Sequence, residues 1–97
     1  MRNLNVVQIA SGGKHIVVLT SNGKLYVCGT HILGLLGIDN KEYKDFSIFQ
    51  KLTTLDHEFI TQVECAEFHT LCLTNTGQVY AWGGSLHKVL IIKWVRN

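Results

Sequence analysis

The 25 residues from Ile60 to Gly84 can be laid without a gap on those from Val6 to Thr30, and this constrains the fold more than any other feature of the chain. The offset is 54 residues throughout. Seven positions are identical: Gln8/Gln62, His15/His69, Leu19/Leu73, Thr20/Thr74, Gly23/Gly77, Tyr26/Tyr80 and Gly29/Gly83. Other pairs keep only apolar character, among them Ile9/Val63, Val17/Leu71 and Val18/Cys72. A fixed period of this size marks a repeat architecture, in which one supersecondary unit buries its face only against the next.

Each copy reads as three short strands. In the first, Val6 to Ala10 is followed by a turn at Ser11 to Lys14, where Gly12 and Gly13 are expected to supply positive φ. "HIVVLT", "SNG" and "KLYVCG" then form a hairpin with Gly23 at its tip. Side chains alternate along a strand, so His15, Val17 and Leu19 share one face, and Ile16, Val18 and Thr20 the other. Both faces are largely apolar, which places the strands between other layers. The second copy runs through strands at 60–64, 69–74 and 78–82, with Gly77 at the hairpin tip and Gly83 where the chain departs. Between the copies, "THILGLLG" and 39–45 read as loop, and Phe46 to Leu55 as a strand. After the second copy, Val89 to Val95 is an apolar run suited to a final strand. The expected fold class is all-β.

Composition narrows the function. A formal net charge of +2, from nine Lys and Arg against seven Asp and Glu and with no basic run, is too weak to argue for nucleic acid or an anionic membrane as partner, and neither is expected. The start lacks the apolar core of a signal peptide, and no window approaches the roughly 18 apolar residues of a bilayer span. An intracellular setting, cytoplasmic or nuclear, is expected. Cys28, Cys65 and Cys72 are odd in number and lie in strand-like segments, as buried thiols of a reducing compartment do.

No residue set calls for catalysis, a cofactor or a metal. The glycines of "SGGKH" match neither a Walker loop nor a dinucleotide fingerprint. Cys65, His69 and Cys72 have a zinc-like spacing, but His69 and Cys72 stand three apart on one strand and so point to opposite faces. Cys28 and His31 lack an orienting third group. His15 and His69 recur once per copy. A catalytic group is needed once, whereas a residue present in every copy serves a structural bond. The structural repeat positions are therefore His15, His69, Gly23, Gly77, Tyr26, Tyr80, Gly29, Gly83 and Trp82, with the aromatic rings expected to pack between repeats. Asp56, Glu58, Glu64 and Glu67 read as a solvated rim, and Trp94 either plugs the end of the stack or forms an exposed patch.

The His, Leu-Thr, Gly and Tyr positions common to both copies, the Trp82-Gly83 ending and the glycine turn Gly34 to Gly37 resemble the repeat of the regulator of chromosome condensation family. The resemblance implies a β-propeller of four-stranded blades, with roughly fifty residues per repeat. It divides the chain into two repeats over 1–88, with cores at 6–30 and 60–84, and a divergent tail over 89–97. Two repeats cannot close a ring of about seven, so an incomplete propeller with open sheet edges is expected. The second copy departs from the first at Cys65-Ala66-Glu67, which replaces Ser11-Gly12-Gly13.

The function implied is a non-catalytic protein-protein interaction or scaffold module, a fragment of a larger propeller. Resemblance also brings in a small GTPase as partner, since some members act in guanine-nucleotide exchange. That activity needs the whole ring, and no residue here is assigned to it. Self-association through the open edges is a further expectation. The alternatives are a regulatory fragment of an exchange factor, kinase or ubiquitin ligase, and a small thiol- or metal-responsive protein.

Overall fold

The structure, a computed structural model, describes residues 5–29, 46–83 and 86–92. Among these residues, eight strands form two antiparallel four-stranded sheets, each in simple sequential order. Sheet 1 holds β1 (Val6–Ser11), β2 (His15–Thr20), β3 (Leu25–Gly29) and β4 (Phe46–Lys51). Sheet 2 holds β5 (Ile60–Cys65), β6 (His69–Thr74), β7 (Val79–Gly83) and β8 (Leu86–Ile92). A 3-10 turn, Thr53–Leu55, lies between the sheets in sequence. It takes the end of the segment expected to be strand as far as Leu55. The fourth strand of sheet 2 starts at Leu86, so ordered pairing with β7 crosses position 88. The Gly34–Gly37 turn, His31 and Trp94 lie outside the described residues.

The two sheets repeat each other in detail. The β1/β2 register shifts between Val6 and Gln8, and the β5/β6 register shifts at the matching place, between Ile60 and Gln62. Such bulges bend and twist a strand. Both hairpin tips close through the same bonds: Gly23 N–H donates to the Thr20 carbonyl and Gly77 N–H to the Thr74 carbonyl. The Thr20 and Thr74 hydroxyls are buried in these turns, where they accept from Lys24 N–H and Gln78 N–H. Gly23 and Gly77 have φ of 78° and 86°, a region in which a Cβ is strained.

Gly12 and Gly13 do not adopt positive φ, contrary to expectation. Gly12 is needed for space. A Cβ there would lie 2.3 Å from the Ala66 carbonyl oxygen and 2.3 Å from His15 Cε1. The glycine thus serves a close approach between the two sheets.

One core lies between the sheets. Val17, Leu19, Leu25 and Val27 come from sheet 1, Val63, Cys72, Tyr80 and Trp82 from sheet 2, with Leu52 and Leu55 from the connection. Burying each large aliphatic side chain stabilises by about 1.5–3 kcal/mol. Neither sheet closes on itself, so the chain is a partial propeller made of two blades, with an incomplete ring.

Candidate interaction surface

Register aligns residues of neighbouring strands in rows across each sheet. In sheet 1, Ala10, Val17 and Val27 are aligned, as are Gln8, Leu19 and Leu25. These rows face sheet 2. The matching rows of sheet 2, Glu64-Leu71-Ala81 and Gln62-Leu73-Val79, lie on the side away from sheet 1. Val17 is 0% exposed, whereas Leu71 at the matching place is 43% exposed. A shallow groove of about 230 Å³ runs along this open face, lined by Gln62, Glu64, Leu71, Leu73 and Val79 among others. Sheet 1 has its own open face on the opposite side, where Ile9 is 66% and Ile16 39% exposed.

Polar contacts join the blades. Gln8 Oε1 accepts from Val63 N–H at 2.7 Å. Gly23 carbonyl accepts from Ile60 N–H at 3.0 Å, and Glu67 carbonyl from Gly13 N–H at 3.3 Å. His15 Nε2 bonds to Thr70 Oγ1 at 2.8 Å in a buried site. The other ring nitrogen, His15 Nδ1, is buried without a hydrogen-bond partner among the described residues. Burial lowers the His15 pKa from the ordinary 6.5. Between that lowered value and 6.5 the unfolded chain binds the proton and the native one does not, so stability is full above 6.5 and falls as pH drops through the window.

Thr70→Val tests this contact, because it keeps the shape and removes the hydroxyl. A buried group left unpaired costs about 1–3 kcal/mol. The expected result is an unfolding free energy lowered by that amount at pH 7, read as a lower urea midpoint with the slope of the transition unchanged.

The positions singled out in the sequence fall as follows. His15 is 2% exposed and bonded across the blades, while His69 is exposed. Trp82 is fully buried in the core, and Tyr80 is buried with its hydroxyl donating to Glu58. Burial and that carboxylate push the Tyr80 phenol up to about 12. Tyr26 is partly buried. Gly29 and Gly83 carry φ of 123° and 99°, and a Cβ on either would lie within 2.4 Å of a backbone carbonyl, that of Lys14 or Phe68. Glu58 does not belong to a solvated rim: its carboxylate is 14% exposed beneath Tyr80. Thr70, Gly12 and Ala66 carry the blade contact and escaped the sequence comparison, since Thr70 aligns with Ile16 and Gly12 with Ala66. Repeat identity is blind to a residue whose partner sits in the other copy.

Burial raises all three thiols: Cys28 and Cys65 are pushed up, and Cys72 to about 12. A thiolate is the reactive form. At pH 8 in the folded chain, Cys72 is expected to react with a disulfide reagent at least about tenfold more slowly than after denaturation. Rapid reaction of Cys72 in the native state would favour the thiol-responsive reading instead.

Comparison with known proteins places this geometry among relatives. The regulator of chromosome condensation (RCC1) repeat matches residues 6–35 and 60–87 in one form and 22–73 in another. The chain is 38% identical over 84 residues to Protein RCC1 of Candida albicans, covering 81% of this chain and 18% of that protein. It is 32% identical over 91 residues to the probable E3 ubiquitin-protein ligase HERC6 of Homo sapiens, covering 93% of this chain and 9% of that protein. The solved structure of Prp20p from Saccharomyces cerevisiae, described with its binding properties to Gsp1p and histones, superposes with a TM-score of 0.83 at 24% identity. That match covers 98% of this chain and 27% of Prp20p. The chain spans less than a fifth of the length of these two curated relatives.

Proposed function

Because the chain belongs to the regulator of chromosome condensation repeat family, we propose that it serves as a non-catalytic protein-protein interaction module whose binding surface is the open face of sheet 2. The observation that carries this reading is the contrast between Leu71, 43% exposed, and its counterpart Val17, 0% exposed beneath a neighbouring blade. An apolar row on one side of a well-packed blade, bordered by Gln62 and Glu64, has the makeup of a recognition surface. The repeated residues serve structure: His15 joins blades, Gly23 and Gly77 shape hairpin tips, Gly29 and Gly83 permit close strand crossings, and Tyr26, Tyr80 and Trp82 pack. His69 keeps the repeat position on the open face. Residues 1–88 carry the two repeats and 89–97 form a divergent tail, of which 89–92 belong to β8.

The partner is a protein. A small GTPase of the Gsp1p kind, or a histone, is the first to try, since those are the partners named for Prp20p. A nuclear or cytoplasmic setting follows from such partners. No helix among the described residues is long and apolar enough to cross a membrane, which leaves strands out of account. A second reading, a regulatory piece of a much larger protein, is favoured by the 9% share that the chain represents of the ubiquitin ligase relative.

The test is a binding titration of the chain with Gsp1p and, separately, with histones, beside the Leu71→Asp variant. Saturable binding, weakened about tenfold or more by the substitution and with nucleotide release from the GTPase unchanged, is the expected result. Faster nucleotide release, or equal binding by the variant, would count against the reading.

A further inference from the structure

The chain has two unlike open faces, and the contact between its own blades defines how a further blade would sit on sheet 2. In that arrangement a second copy would lay the outer face of its sheet 1 on the open face of sheet 2, with each contact transposed by 54 residues. We propose that the sheet 2 face is closed to the chain's own sheet 1, so that copies do not stack head to tail, and that Ala66, Glu64 and Ile16 impose this.

Ala66 occupies the place of Gly12. A Cβ at Gly12 would lie 2.3 Å from the facing Ala66 carbonyl oxygen, so the real Cβ of Ala66 would meet the facing Gly12 carbonyl of a second copy in the same way. Backbone cannot yield as a flexible side chain does. The same Cβ position lies 2.3 Å from His15 Cε1, so Ala66 also denies His69 the ring position that His15 takes. His69 is exposed. The receiving side is altered too, because Ile16 replaces Thr70 and offers no hydroxyl to a histidine. Glu64 replaces Ala10, which is partly buried against the core, so stacking would bring a carboxylate to an apolar contact without a partner.

What the face retains makes these three positions decisive. Gln62 is still present to accept a strand N–H as Gln8 does, and Leu71 and Ile9 are both exposed. Without the block, an apolar face and its complement on every copy would form a head-to-tail contact that does not close after two.

The experiment compares the wild-type chain with the triple variant Ile16→Thr, Glu64→Ala, Ala66→Gly by light scattering over a concentration series. Each is also measured with Leu71→Asp added, which isolates association through this face from pairing of strand edges. The wild type is expected to show no association that Leu71→Asp removes. The triple variant is expected to gain it, with mean mass rising at least about twofold as stacked copies accumulate. Association of the wild type that Leu71→Asp abolishes overturns the proposal, as does a folded triple variant with wild-type mass. Should the triple variant lose its strand signal in circular dichroism, the wild-type arm decides the matter: no association removed by Leu71→Asp supports the closed face, and association that it removes overturns the proposal.

Discussion

Replacing Trp82 by alanine is expected to leave the chain within about 2 kcal/mol of unfolding at 25 °C. Trp82 is 0% exposed, is the largest fully buried side chain among the described residues, and sits in β7 among core residues from both blades. Removing a buried tryptophan costs about 3–5 kcal/mol, from lost transfer energy and the cavity left behind. A chain of this size has a total stability near the low end of about 5–15 kcal/mol. Loss of strand signal by circular dichroism, or a urea midpoint shifted to low denaturant, is the expected reading. The matching residue in blade 1 is Cys28, which is only partly buried, so Cys28→Ala should lower the unfolding free energy by less than about 1.5 kcal/mol. Equal effects at the two sites would show that the core is not shared between the blades as described.

Gly12→Ala is the second large effect, and it acts by overlap instead of a cavity. The added methyl meets the Ala66 carbonyl oxygen and the His15 ring, both at 2.3 Å. Overpacking costs about 1–3 kcal/mol. Displacing His15 also breaks its bond to Thr70, adding about 1 kcal/mol. The diagnostic is the His15 ring itself, followed by nuclear magnetic resonance against pH. In the wild type burial holds its pKa below 6.5, and in the variant, with the ring driven out towards water, the value should return upwards. Gly77→Ala is the control. It has positive φ but nothing within 4 Å, so only backbone strain of about 1–2 kcal/mol is expected, with His15 unchanged.

Much of the fold was legible because a repeat is compared with itself. The pairs Gly23/Gly77 and Thr20/Thr74 mark hairpin tips whose bonds are the same in both sheets, and local backbone geometry demands the same residue each time. Strand alternation likewise identified His15, Val17 and Leu19 as one face. The misreadings share a different cause. Gly12 was read through conformation, the usual reason for a glycine turn, when its reason is the carbonyl of a residue 54 positions away. Glu58 was read as solvated because nothing local shows that the Tyr80 hydroxyl reaches it across 22 residues. Thr70 gave no signal at all, since its counterpart is Ile16.

What the sequence determined by itself is the repeating unit: its period, its strands, its hairpin turns and the family to which they belong. These rest on φ preferences and on the two-residue alternation of a strand, which act within a few residues. Only the tertiary structure decided which face of each repeated unit is covered. Val17 and Leu71, and His15 and His69, are equivalent in sequence and opposite in exposure, because burial depends on what stands about 10 Å away across the sheet and not on the strand that carries the residue.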